Sequence, residues 1–182
     1  MIQRGTPAVT EKPRVSELNI AGQFVRHFFQ SVQSSWPDIR KDLSGVLGED
    51  AATLDGEIAP FEFVIAAIAV QIQALANLLP PDQAARIRDH VIRCLCSDEL
   101  GTYPSDAIDE YQAAWDESLR MPEPPYHGIA SVLYEKLGCS GTTSVGGTVF
   151  KSPITIMALG AEIIYFGGPF WKTAVSKYTI YR

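Results

Sequence analysis

The sequence FEFVIAAIAVQIQALANLL, residues 61–79, is the longest apolar stretch in the chain and decides the fold. Pro60 precedes it and Pro80-Pro81 follow it. The proline pair ends any helix there, because proline lacks an amide donor and restrains the residue before it. A helix of this length would extend about 28 Å. We therefore predict a buried helix over residues 61–79 at the centre of the molecule.

A helix of about 28 Å could also cross a lipid bilayer, so the polar residues of the stretch decide between two interpretations. No Lys or Arg flanks the stretch to set an orientation in a membrane. The stretch is interrupted by Glu62, Gln71, Gln73 and Asn77. These features favour the core helix of a soluble protein, and we expect no membrane association.

At about 100° per residue, the polar positions of this predicted helix fall on one narrow stripe, except Gln71, which lies on the opposite, apolar side. The stripe consists of Glu62, Ala66, Ala69, Gln73 and Asn77. Small and polar side chains in such a row allow a neighbouring helix to approach closely, or they line a slot for a ligand. Both interpretations remain open from the sequence.

Composition places the chain among ordinary globular proteins. The chain has 182 residues, of which 46% are hydrophobic and 20% charged, and its net charge is −6. The acidic balance disfavours nucleic acid as a partner. Three cysteines without ligand spacing indicate free thiols and a cytoplasmic protein. We predict no metal and no cofactor, because two-residue patterns such as His90 and Cys94 are too common to indicate a metal site.

Amphipathic segments on both sides of the central stretch predict an all-α, single-domain bundle of about seven helices over residues 16–182. A mobile arm is expected over residues 1–15. Pro37 suits the first position of a helix, so we expect one helix to begin at Ser16 and a second at Pro37, stopped by Gly48. The helix that starts at Asp82 has a charged outer face, interpreted as solvated. Further helices are predicted over residues 105–120 and 126–137.

The C-terminal third is less regular. A Gly/Ser/Thr-rich loop is expected at 139–148. The segment 154–166 is apolar on nearly every side and predicts a second buried helix. Its β-branched and aromatic content leaves a short β-hairpin as the alternative. Large aromatic residues near the C-terminus also suggest a homodimer through this surface, namely Phe166, Phe170, Trp171, Tyr178 and Tyr181.

Charge distribution supports the first functional hypothesis. Between residues 98 and 123 the only base is Arg120, among a large excess of acids. A surface whose charges all have the same sign accelerates association with a partner of opposite charge. We predict a non-catalytic protein-binding module, of adaptor or immunity-protein type, that presents the acidic helix 105–120 to a basic protein. The predicted contact residues are Asp106, Asp109, Glu110, Asp116 and Glu117.

The second hypothesis is a small-molecule-binding protein or an enzyme with a pocket in the helical core. Glu62 and Glu162 are carboxylates in apolar helical segments, where burial would raise the pKa and suit them to acid–base chemistry. Against this, Glu62 lies in a first helical turn, where a carboxylate is favoured by the helix dipole and is often exposed. The predicted pocket residues are Glu62, Gln73, Asn77, His90, His127 and Glu162.

Overall fold

The computed structural model describes residues 11–97, 106–122, 124, 126–140, 142–145, 148–151, 153–167 and 169–182. The helices of this part are α1 (Glu17–Leu47), α2 (Ala59–Leu75), α3 (Pro81–Leu95), α4 (Ala107–Ser118), α5 (Tyr126–Lys136), α6 (Pro153–Gly167) and α7 (Phe170–Lys177), with a 3₁₀ helix over Gly48–Asp55. The strands are β1 (Arg14–Ser16), β2 (Thr142–Val145), β3 (Thr148–Lys151) and β4 (Thr179–Tyr181). The predicted all-α bundle is confirmed.

The central helix α2 is the core of the bundle, as predicted. Every residue from Phe63 to Ile72 is buried. Helices α1, α4, α5 and α6 pack around it, while α3 lies along α1. The helix ends at Leu75, earlier than predicted, and residues 76–78 form a turn before the proline pair. Asn77 therefore lies in an exposed turn and does not continue the polar stripe.

Helix α1 is one continuous helix through Pro37, so the predicted break at this proline is wrong. The buried residues Val32, Ile39 and Leu43 lie at intervals of seven and four positions, which keeps them on one helical face. A single helix can therefore bury the apolar residues on both sides of Pro37 against the same neighbours. Gly48 ends α1 with a positive φ of 59°, as the sequence predicts.

Two small sheets complete the fold. Strand β1 pairs in parallel with β4, in the register Arg14↔Thr179 to Ser16↔Tyr181. The end of the predicted arm is thus a paired strand, and residues 1–10 lie outside the described residues. Strands β2 and β3 form an antiparallel hairpin that overlaps the predicted loop 139–148. This hairpin precedes α6 and does not replace it, so the helix predicted over 154–166 is confirmed.

Candidate functional site

The acidic face of α4 divides into two parts. In its first turn, Asp109 pairs with Arg88 of α3 at 3.3 Å, and Glu110 pairs with Lys136 of α5 at 2.8 Å. The hydrogen bond to Glu110 raises the pKa of Lys136, so this lysine stays protonated. In its last turn, Asp116 and Glu117 are exposed, and neither forms an ion pair with another described residue.

The other predicted residue on this face, Asp106, is exposed immediately before α4. Ser105, the first residue of the predicted helix 105–120, lies outside the described residues. Four of the five predicted contact residues are therefore on α4 itself, and the fifth adjoins its first residue.

A cleft of about 290 Å³ opens beside the last turn of α4, against α5. The two helices cross closely at Gly128: a Cβ atom there would lie within 3.0 Å of the Ala114 carbonyl oxygen and the Ser118 hydroxyl. Two carboxylate residues, an exposed methionine and a predicted pocket residue line the cleft, namely Glu117, Glu135, Met121 and His127. The cleft therefore combines negative charge with apolar surface.

The polar stripe of α2 faces α4. Of the two interpretations that the sequence allowed for this stripe, the structure shows the close approach of a neighbouring helix. The Tyr111 hydroxyl donates a hydrogen bond to Glu62 Oε2 at 2.9 Å. Gln73 Nε2 donates to Gln112 Oε1 at 2.7 Å, and Gln112 Nε2 donates to the Ala69 carbonyl at 3.1 Å. Side chains of α4 thus occupy the space next to Glu62 and Gln73.

The hydrogen bonds of this network join α2 to α4 and act as structural contacts. Burial, followed by the charge of Glu62, raises the pKa of Tyr111, so its phenol stays neutral and donates its proton. The nearby Lys136 is held in its charged form by Glu110. Glu62 therefore accepts a stable hydrogen bond from a group that does not titrate near neutral pH.

The remaining predicted pocket residues lie in different parts of the fold. Gln73 also lines a small cleft of about 230 Å³ with Arg88. His90 is half-buried on α3, and its Nδ1 has no hydrogen-bond partner among the described residues. Glu162 is half-buried on α6, where burial and then the charge of Asp42 raise its pKa. Glu62 accepts a hydrogen bond from α4, whereas the charge that acts on Glu162 is that of Asp42 in α1, so the two carboxylates have partners on different helices.

The aromatic residues predicted as a dimer surface mainly pack inside the fold. Trp171 is only 1% exposed, and its ring lies 4.6 Å from that of Phe24. Phe166 stacks edge-on against Phe63 at 5.9 Å. Of the predicted residues, Tyr181 is 43% exposed, and the other exposed large apolar side chains of this region lie on α6, namely Ile154, Met157, Ile164 and Tyr165. The homodimer stays a prediction.

Within the described part of the chain, one helical stretch, Ile154–Lys177, is long and apolar enough to cross a membrane. A bent pair, Glu17–Asp55 with Ala59–Leu75, would meet the same criterion if it counted as one span. Core helices of soluble proteins also satisfy this criterion. In α6, the buried residues Ile156, Leu159 and Ile163 pack in the common core.

Sequence reasoning missed a cleft of about 380 Å³ between α1 and the α6–α7 corner. Its walls include His27, to which the sequence assigns no role, and Phe170, which was predicted as part of a dimer surface. The feature of the sequence that could have indicated this cleft is the concentration of aromatic and basic residues after position 165.

No protein-family model matches the chain, and no curated protein or solved structure matches it significantly. Within the described residues, no three His, Cys, Asp or Glu side chains form a group that could hold a metal ion. Inference about function therefore depends on the geometry of the clefts and charged faces.

Proposed function

We propose that this protein is a non-catalytic protein-binding module. The last turn of α4 and the adjoining α4–α5 cleft would bind a basic segment of a partner protein. The observation that carries the proposal is the contrast within α4. The acids of the first turn are paired with Arg88 and Lys136, whereas Asp116 and Glu117 form no ion pair with a described residue.

The position of these two acids makes them unfavourable for the folded protein alone. The C-terminal end of a helix carries partial negative charge, so a carboxylate there destabilises the helix by about 0.3–1 kcal/mol at low ionic strength. No basic residue lies in the last turn of α4 to offset this. A basic partner would remove the repulsion between Asp116, Glu117 and the last carbonyl groups, and this relief would add to the binding free energy.

The adjoining cleft indicates the chemistry of the partner. Met121, which is 58% exposed, lines the cleft with Glu117 and Glu135, and Leu119, which is 60% exposed, directly follows α4. Arginine and lysine combine an apolar stem with a charged head, so they complement such a mixed surface. The expected ligand is therefore a segment in which Arg or Lys alternates with aliphatic residues.

Selection from a random-peptide display library on the immobilised full chain tests the proposal. We expect enrichment of peptides with Arg or Lys beside aliphatic residues. For the best synthetic peptide, isothermal titration calorimetry should give an affinity at least about tenfold weaker with the variant Asp116→Lys/Glu117→Lys, because attraction becomes repulsion. Binding should also weaken as salt concentration rises.

A matched control is Asp38→Lys/Glu49→Lys, which makes the same change in net charge at two exposed sites away from α4. It should retain most of the affinity. Selection of peptides without basic residues, or equal loss of binding in both variants, would contradict the proposal.

A further inference from the structure

A second cleft, on a different face from the α4–α5 cleft, has the features of a small-molecule site. It lies between the first half of α1 and the α6–α7 corner and has a volume of about 380 Å³. Pockets for small organic ligands typically measure about 300–1,000 Å³. For comparison, a benzene molecule fits a cavity of about 150 Å³. This cleft can therefore hold a ligand of one or two rings.

The apolar part of the lining is largely aromatic and is held in place by packing. The rings of His27 and Phe170 stack with centroids 5.6 Å apart and planes inclined by 30°. Phe170 also packs against the core residue Phe24 at 5.1 Å. Ile20, which is buried, and Phe166 complete the apolar surface. These contacts hold aromatic rings in the lining of the cleft, and a further ring can pack against them.

The charge of the lining is opposite to that of the whole molecule. None of the ten residues that line the cleft carries a carboxylate, although the chain has a net charge of −6. The one Lys or Arg among them is Lys177, which is exposed at the end of α7 with its Nζ 5.1 Å from the ring centre of Tyr178. A group bound beside Lys177 would meet positive charge, with no lining carboxylate to repel an anion.

We propose that this cleft binds a small aromatic carboxylate. The ring of the ligand lies against Phe170 and His27, and its carboxylate accepts a charge-assisted hydrogen bond from Lys177. Thr173, exposed on the same side of α7, also lines the cleft and offers a hydroxyl to the ligand. Apolar contact supplies the affinity, and Lys177 selects the anionic head group.

Three probes with the same ring system test this inference: 2-naphthylacetate, its neutral amide, and 2-(2-naphthyl)ethylammonium. Binding to the ¹⁵N-labelled full chain is followed by chemical-shift changes. A ligand of about 14 non-hydrogen atoms is expected to bind at about 1 mM. We expect naphthylacetate to shift amide signals in α7 and the first half of α1, with the amide about tenfold weaker and the ammonium compound weaker still.

Two lysines of α7 provide matched variants. Lys177→Gln should weaken naphthylacetate binding about tenfold, whereas Lys172→Gln, an exposed lysine outside the lining, should leave it nearly unchanged. Thr173→Trp should block the cleft, and thermal unfolding of each variant verifies that it is folded. Equal binding of the three probes, equal effects of the two lysine variants, shifts confined to other helices, or no shift at concentrations about tenfold above 1 mM would each overturn the inference.

Discussion

Glu17 and Arg86 join the start of α1 to α3 through two parallel hydrogen bonds, Arg86 Nε to Glu17 Oε2 at 2.9 Å and Nη2 to Oε1 at 2.8 Å. The two side chains differ in exposure: 2% for Glu17 and 37% for Arg86. This hydrogen bonding lowers the pKa of Glu17 below its ordinary value, although burial acts in the opposite direction. The pair therefore stabilises the fold above the ordinary pKa of a glutamate, and this contribution is lost as the pH falls through the lowered one.

The difference in exposure predicts unequal effects of removing either partner. Arg86→Gln leaves a buried carboxylate without its cation and should lower the free energy of unfolding more than Glu17→Gln does. Glu17→Gln leaves a guanidinium that still reaches water and should cost about 1–2 kcal/mol. Urea denaturation at neutral pH measures both. Equal effects, or a larger effect of Glu17→Gln, would contradict the role given to burial.

The close crossing of α4 and α5 predicts opposite effects of two Gly→Ala substitutions. Gly128→Ala places a Cβ against the Ala114 carbonyl and should lower the free energy of unfolding by about 1–3 kcal/mol. Gly45→Ala, in α1, meets nothing within 4 Å and should stabilise the protein by about 0.5–1 kcal/mol, because alanine loses less backbone entropy. Thermal unfolding of the two variants is the measurement, and a neutral Gly128→Ala would refute the tight crossing.

The two ends of α4 should respond in opposite directions to charge reversal. Asp116→Lys/Glu117→Lys places cations at the negative end of the helix and should raise stability by about 0.3–1 kcal/mol per site at low ionic strength. Asp109→Lys/Glu110→Lys removes the pairs with Arg88 and Lys136 and should lower stability. Denaturation in low and high salt measures both effects, which should shrink with salt. Higher stability together with lost peptide binding would indicate that these acids are retained for a partner.

Glu162 should destabilise the protein at neutral pH. Its raised pKa means that the folded state holds the Glu162 proton more tightly than the unfolded state does. The free energy of unfolding contributed by Glu162 therefore falls as the pH rises above 4.5. Glu162→Gln should therefore increase Tm at pH 7, and the gain should disappear below pH 4.5. The exposed Glu49→Gln serves as a control with no gain. A lower Tm for Glu162→Gln at pH 7 would contradict the assignment.

The central helix and its polar stripe could be predicted because both are local patterns. Every residue from Phe63 to Ile72 is buried, and the stripe from Glu62 to Gln73 receives a neighbouring helix. That this neighbour is α4, through Tyr111 and Gln112, depends on which helices meet in space. Spacing along one helix cannot supply that information.

Other features had no local signal. Arg86 belongs to a charged face that was predicted to be solvated, and its partner Glu17 lies on a different helix. Pro37 normally marks a helix start, but the apolar stripe of α1 continues in phase through it, and burial of that stripe decides the structure. The cleft beside His27 and Phe170 exists only once α7 folds back on α1.

The pairing of β1 with β4 has a consequence for the order of folding. Thr179 donates its amide proton to the Pro13 carbonyl at 2.9 Å, and the Arg14 guanidinium lies 4.8 Å from the ring centre of Tyr181. These partners lie at opposite ends of the described residues, so their contact can form only after residues 179–181 have been synthesised. With three residues in each strand, it should also be the part of the native protein that opens most readily, exchanging its amide hydrogens before the interior of the bundle does.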